Sequence, residues 1–205
     1  MPKVLLGTTN PSKREKLAWL FAGLDSFALV DLKDLNLDIN VEENGESFEE
    51  NAVIKALAYS LAFDGLAVSS DGGATIPVLG DNWDGLLTHR FAGADATEED
   101  RLEAIIKIMK PYQGEDRIVL WNEAIALAYK GKLIFSFLRS GEKGYLLDKY
   151  NKDRIMPGFW LASLWLCPSF NKTYSDLSTE ERNHQDFTWS KIIEKFQTLL
   201  KEKIL

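Results

Sequence analysis

The sequence predicts an α/β fold, a mixed twisted sheet flanked by helices, in one domain over residues 1–205. Three observations predict it. Strand-like and helix-like segments alternate through the first half, a long strand pair dominates the second, and the chain closes on an amphipathic helix. With 45% apolar and 27% charged residues, the balance is that of a chain able to bury a substantial core rather than a disordered one.

Each element has a local cause. Residues 4–8 read as a short buried strand. Asn10 and Pro11 then open a helix to about Ala22, with proline at the first helical position, where its missing N–H is not needed. Leu17, Leu20 and Phe21 give that helix an apolar face. Asn44-Gly45 is a turn signal, and Ser47 with Glu50 forms a capping box for a second helix that turns Ala52, Ala56 and Leu57 inward. Residues 67–70 read as a strand ending at a tight turn, Asp71-Gly72-Gly73. Thr97 and Asp100 open a third helix, through Met109. Residues 117–129 and 133–138, on either side of Lys130-Gly131-Lys132, read as a long hairpin. After a less regular stretch, residues 159–166 read with the strands. Ser178 with Glu181 starts another helix. The last helix aligns Trp189, Ile192, Ile193, Phe196, Leu199 and Leu200 on one face, against the sheet. There is no internal repeat or low-complexity segment.

Charge and composition narrow the function. A net charge of -7 argues against a broad nucleic-acid or membrane surface, which needs clustered lysine and arginine. A small anion held by a few local cations remains open. Cys167 is the single cysteine, so no intrachain disulfide forms, which fits a reducing compartment. The N-terminal apolar run is too short for a signal peptide, and no stretch approaches the roughly 18 apolar residues of a membrane span. A cytoplasmic protein is expected. His89 and His184 are the only histidines, too few for a multi-histidine zinc site, so any metal is expected to be a hard cation on carboxylates.

Three loops carry polar residues that a core does not need, at places where open α/β sheets bind ligands. In the first, residues 8–13, a helix N-terminus and Lys13 suit an anion, although taken alone Asn10 is more often an N-cap and Lys13 a solvated lysine. In the second, residues 43–51, Glu46, Glu49 and Glu50 are ordinary partners of a helix start. Glu43 lies outside the helix, and Asn51 shares a helical face with Lys55. In the third, residues 69–73, Asp71 reads either as a metal- or water-binding carboxylate or as a structural turn residue.

Taken in order and spacing, these loops resemble the inosine triphosphate pyrophosphatase family. Its T-x-N-x-x-K is matched by Thr8, Asn10 and Lys13. Its E-T-G-x-T-F-x-E-N-A-x-x-K-A is matched by Glu43, Gly45, Phe48, Glu50, Asn51, Ala52, Lys55 and Ala56. Its D-D-S-G aligns with Ser70, Asp71, Gly72 and Gly73. A later stretch resembles Leu79-Gly80, Gly85 and Arg90-Phe91-Ala92-Gly93. The segment K-T-F-x-E-L-S-x-E-E-K-N resembles the run from Lys172 to Asn183. The likeness covers nearly the whole chain.

The departures are specific. Ser70 stands where the family has an acid. Lys16 stands where it has a glutamate, with Glu15 one place earlier. The nucleobase segment survives only as Gly158-Phe159, followed by Trp160-Leu161-Ala162-Ser163. Asp186-Phe187-Thr188 replaces the S-H-R that reads the purine, and His184 is out of register. Asp186 reads as a cap of the last helix and Phe187 as a core residue.

The resemblance implies two lobes with a nucleotide cleft between them, a nucleoside triphosphate substrate, Mg²⁺ and a homodimer. It implies that Glu43 and Asp71 hold the metal, that Asp71 orients or deprotonates the attacking water, and that Thr8, Asn10, Lys13, Lys55, Lys172 and Arg182 meet the phosphates. Phe159 and Trp160 would face the base. Trp83, Trp160 and Trp165 would pack at a dimer interface or in the core. The expected reaction is hydrolysis of non-standard purine nucleoside triphosphates to monophosphate and pyrophosphate. Its base preference is expected to be altered, because apolar replacements do not discriminate polar edges, and the neutral residue at position 70 points to reduced activity. The alternatives are a non-catalytic nucleotide-binding relative and a hydrolase of a different phosphorylated substrate.

Overall fold

Lys3–Leu6 (β1) pairs in parallel with Ala28–Asp31 (β2) on one side and with Leu66–Thr75 (β3) on the other, in the register Leu6 opposite Val68. The remaining strands are Ile118–Tyr129 (β4), Lys132–Leu146 (β5), Trp165–Cys167 (β6) and Lys172–Thr173 (β7), in the order β2-β1-β3-β4-β5-β6-β7. β5, β6 and β7 pair antiparallel, so the sheet is mixed. The helices are Pro11–Trp19 (α1), Phe48–Phe63 (α2), Glu98–Met109 (α3), Thr179–Gln185 (α4) and Phe187–Lys203 (α5). This computed structural model describes residues 1–37, 39–185 and 187–204, with the backbone alone at Glu142, Asn183, Phe187 and Thr188. Asp186 and the side chains of Phe187 and Thr188, which replace the purine-reading motif, therefore lie outside the described residues, as does the Asn183 side chain.

The chain divides into two compact units. The first comprises Met1–Gly72, Glu123–Arg139 and Trp189–Leu205, and the second Gly73–Asn122 and Ser140–Thr188. In the first unit helices cover both sheet faces. Leu66 and Val68 of β3 and Ile125 and Leu127 of β4 pack with Leu17 and Leu20 and with Ile192, Phe196 and Leu200 of α5. The opposite face takes α2: Ala52 and Ala56 meet Ala124, Ala126 and Ala128 of β4, small residues that let helix and strand approach closely. Tyr59 packs there with Leu5 and Ala67. Burying Ile192, Phe196 and Leu200 fully is worth about 1.5–3 kcal/mol each.

The second unit has its own core. Leu102, Ile105 and Met109 of α3 pack with Val119, Leu146, Leu161 and Trp165. Trp160 and Trp165 are buried there within a single chain, while Trp83 is partly buried. Arg117 holds this unit together through backbone oxygens alone: its guanidinium donates to Met109 O at 2.9 Å, Tyr112 O at 3.1 Å, Leu147 O at 2.8 Å and Leu146 O. Two of these partners belong to the end of α3 and the turn beyond it, where free carbonyls accumulate.

Several local expectations hold in detail. Thr97 and Asp100 form a complete capping box. Ser178 and Glu181 exchange both bonds, Ser178 N donating to Glu181 Oε2 at 2.8 Å and Glu181 N to Ser178 Oγ at 3.2 Å. The β4–β5 connection turns on Lys130 and Gly131, both at positive φ (48° and 74°), which suits a two-residue hairpin loop.

Others need correction. β3 does not stop at a turn after Ser70 but runs through Asp71, Gly72 and Gly73 to Thr75, and neither glycine has a positive φ. Residues 159–166 are mostly a 3₁₀ turn at Trp160–Ser163, with a strand only from Trp165. α1 ends at Trp19, short of Ala22, and β2 had no clear pattern in the sequence. The Ser47 box is half formed: Ser47 Oγ accepts from Glu50 N, but the Glu50 carboxylate reaches one residue further back, to Glu46 N at 2.7 Å.

Candidate active site

The loop after β1 is built by close approach. Gly7 N donates to Val68 O at 2.8 Å, and Ser69 Oγ donates to Gly7 O at 3.2 Å. A Cβ at position 7 would lie 2.3 Å from Ser69 Oγ and 2.6 Å from the Tyr59 ring, so only glycine fits. Thr8 Oγ1 then accepts from Asn10 N at 3.2 Å, and Asn10 Oδ1 accepts from Lys13 N at 3.1 Å as the N-cap of α1. These two bonds fix the start of the helix, whose free N–H groups carry partial positive charge.

The second loop is clamped onto α2. Asn51, only 4% exposed, accepts from Gly45 N at 2.8 Å, and Glu50 accepts from Glu46 N. A Cβ on Gly45 would lie 2.8 Å from Asn51 Oδ1, so a glycine is needed here too. The clamp sets Glu43 above the helix. There Lys55 Nζ donates to Glu43 Oε2 at 3.0 Å and to Asp71 Oδ1 at 3.1 Å. Lys13 Nζ approaches the same Asp71 oxygen at 3.5 Å.

The four groups are unequally buried. The Lys55 and Asp71 side chains are 10% and 11% exposed, whereas Lys13 and Glu43 are 23% and 28% exposed. Burial lowers the Lys13 pKa, but the charges of Glu123, Asp71 and Glu43 outweigh it and hold the ammonium above the ordinary lysine range. Burial, and secondarily the Glu43 charge, raises the Tyr59 hydroxyl. Glu123, on β4 and 3% exposed, is thus part of this electrostatic group, although nothing in the sequence motifs pointed to it. Ser70 is 1% exposed, and its Oγ has no hydrogen-bond partner among the described residues.

The structure therefore brings Lys13, Glu43, Lys55 and Asp71 into one ion-paired group in the first unit, with Thr8 and Asn10 shaping the adjoining helix start. The other expected residues belong to the second unit. Phe159 meets Tyr174 edge-on at 5.2 Å and Trp121 at 5.0 Å, and Trp160 is buried and stacked on Phe91 at 5.5 Å. The Arg182 guanidinium lies 5.9 Å from the Tyr174 ring centre and donates to Ser175 O at 3.3 Å. Lys172 pairs with Glu181 at 2.7 Å. Lys16, where the resembling motif has a glutamate, lies 5.3 Å from the Trp189 ring centre. Among the described residues no three His, Cys, Asp or Glu side chains come together as a metal-binding group, and no helix is long and apolar enough to cross a membrane.

By fold this is an α/β protein whose parallel strands β1 and β3 lead into a cluster of charge, the place where open sheets of this class meet their ligands. Within that class the chain belongs to the Ham1 family, whose sequence profile matches residues 4–192. It is 29% identical to a dITP/XTP pyrophosphatase of Thermoanaerobacter sp. (strain X514) over 181 residues, 88% of each chain. It is 30% identical to a dITP/XTP pyrophosphatase of Pectobacterium atrosepticum over 189 residues, 90% of this chain and 91% of the other. The fold is that of a HAM1 protein from Coxiella burnetii (TM-score 0.80, 23% identity, 98% of this chain and all of that one). It is also that of the Staphylococcus aureus Ham1 protein (TM-score 0.71, 21% identity, 94% and 99%).

Proposed function

We propose that this chain hydrolyses non-standard purine nucleoside triphosphates to the monophosphate and pyrophosphate, with Asp71 at the centre of the reaction. The observation that carries the reading is the Lys55 ammonium bound between Glu43 and Asp71, with Lys13 on the same Asp71 oxygen beside the start of α1. The substrate class follows from the relatives named dITP/XTP pyrophosphatase.

The donor set suits a hard divalent cation. Glu43 and Asp71 offer carboxylate oxygens on either side of one ammonium, and a cation such as Mg²⁺ needs only one or two protein carboxylates, completing its shell with water and phosphate. We assign Mg²⁺ to Glu43 and Asp71, where it would polarise phosphate oxygens as a Lewis acid. The rest is the work of side chains. Lys13 and Lys55 neutralise the charge of the triphosphate, and Thr8, Asn10 and the N–H groups of α1 receive its oxygens. Asp71 orients a water toward the α-phosphorus and accepts its proton. The water oxygen bonds to phosphorus, the bond to the bridging oxygen breaks, and pyrophosphate departs with that electron pair.

Lys172 and Arg182 as further phosphate contacts, and Phe159 and Trp160 as base contacts, enter the proposal through the sequence resemblance. So do its homodimeric state and its place in the cytoplasm as one functional domain. Hydrolysis of dITP in H₂¹⁸O tests the reaction: label in the monophosphate, with unlabelled pyrophosphate, is expected. Label in orthophosphate would mean attack at the γ-phosphorus and would contradict the assignment.

A further inference from the structure

The contact of α2 with β4 is made of alanines: Ala52 and Ala56 meet Ala124, Ala126 and Ala128, with Phe48, Val53 and Leu57 partly buried around them. Such flat surfaces bring helix and strand close but offer few ridges and grooves to fix the helix along its own axis. Two side-chain bonds do so instead. Near the start of α2, Ser136 Oγ of β5 donates to Glu49 Oε1 at 2.6 Å. Near its end, Gly131 N of the β4–β5 turn donates to Ser60 Oγ at 3.0 Å. Glu49 stands with Ala52 and Ala56 at the i, i+3, i+7 spacing of one helix face. Phe135 and Phe137 pack on the opposite sheet face, so alternation turns Ser136 toward α2. Helical rise separates Glu49 from Ser60 by about 16 Å, and extended chain separates Gly131 from Ser136 by about 16 Å too. The two bonds are therefore a matched pair that holds α2 along the start of β5.

Their consequences for the site differ. Lys55 is part of α2, and Glu43 travels with the helix because Asn51 and Glu50 clamp its loop. Asp71 belongs to β3. A shift of α2 over the sheet would leave the Lys55–Glu43 bond of 3.0 Å intact and break the bond of 3.1 Å from Lys55 to Asp71. It would also part the two carboxylates assigned to the metal. Glu49 lies in the first turn of α2 beside Glu50 and Asn51, at the end that holds this geometry, whereas Ser60 lies beyond Lys55 toward the other end. The sequence pattern makes Glu49 a partner of the helix start alone, and Ser136 stands in none of the motifs. We propose that Glu49 and Ser136 are positioning residues of the pyrophosphatase site, a pair that sets α2, and with it Lys55 and Glu43, against Asp71. This rests on the reading of the site given above.

The test measures kcat for pyrophosphate release from dITP with Mg²⁺, beside thermal melts that establish each variant as folded. Ser136→Ala and Glu49→Ala should each lower kcat about tenfold, short of the roughly hundredfold that a misplacement of about 1 Å can cost. The double variant Glu49→Ala/Ser136→Ala should lose no more than either single one, because all three remove the same bond. Ser136→Thr and Glu49→Gln, which keep the donor and the acceptor, should stay within about twofold of wild type. Ser60→Ala is the control: it removes the remote bond and should lower the thermal midpoint as Ser136→Ala does, with kcat retained. Unchanged kcat in folded Ser136→Ala, a double variant whose loss is the product of the single losses, or an equal loss of kcat in Ser60→Ala overturns the inference. Wild-type protein that releases no pyrophosphate overturns the functional reading itself, a result distinct from an active wild type beside unaffected variants.

Discussion

The two units spend their buried polar groups differently. In the second, Arg117 is consumed by backbone oxygens, Arg101 donates to His89 O at 2.6 Å, and Trp83 donates to Ala74 O at 2.7 Å. Each such group donates to a backbone carbonyl of its own unit, which is scaffolding. In the first, Lys13, Lys55, Glu43 and Asp71 are spent on one another, and two of the four stay about a quarter exposed. Charges that face each other can be exchanged for a ligand's charges, whereas charges locked onto carbonyls cannot. Function is therefore expected to fail first in one unit and stability in the other.

The sharpest way to break that contrast is Asp71→Ala. It should lower kcat for pyrophosphate release by about 10³-fold, within the range of a lost general base, with little change in the thermal midpoint. A large fall in the midpoint instead would make Asp71 a structural residue. In the second unit Arg117→Met should destabilise the fold by about 3 kcal/mol in urea titrations, because several buried carbonyls lose a charged donor, while kcat of the folded fraction is retained. Gly7→Ala sharpens the comparison from the first unit, since its Cβ would overlap Ser69 and Tyr59. A loss of about 2 kcal/mol is expected in the same titrations, with weaker nucleotide binding because the helix start shifts. Thr97→Ala removes a cap within the second unit and should cost about 1 kcal/mol, with kcat/KM unchanged.

The smallest effect concerns pH. Carboxylates raise the Lys13 pKa in the fold above the ordinary value of 10.5. A group raised in this way contributes its stability in full below 10.5 and loses it as pH climbs through the higher folded value. Stability should therefore show no Lys13-dependent loss between neutral pH and 10.5, and Lys13→Met should remove part of the decline above it. Parallel stability curves for wild type and Lys13→Met across that alkaline range would contradict this.

What could be read from the sequence follows how local its causes are. The caps at Asn10, Ser47, Thr97 and Ser178 were legible because a cap is decided within four residues. The hairpin at Lys130-Gly131 was legible for the same reason. The course of β3 through Gly72 and Gly73 was not, because two glycines spell a turn locally and only pairing with distant strands keeps them extended. The 3₁₀ turn at Trp160–Ser163 hid in an apolar run that strand and turn share. In the site, Lys13, Glu43, Lys55 and Asp71 were all named from motif spacing, but the ion pairs that join them required the fold. Glu123 stood in the sequence as a single acid in an apolar strand. Its charge acts on Lys13, more than a hundred residues away in the chain, so no local pattern could announce it.

The central claim, that the charge cluster on Asp71 is a pyrophosphatase site for non-standard purines, is tested most directly by a substrate panel. Pyrophosphate release would be followed with Mg²⁺ from ITP, dITP and XTP and from ATP, GTP, CTP and UTP, with Asp71→Ala alongside. Release from the first three that exceeds the rest and vanishes in Asp71→Ala is the predicted result. Folded wild-type protein that releases pyrophosphate from none of them, or release that survives in Asp71→Ala, would contradict the account.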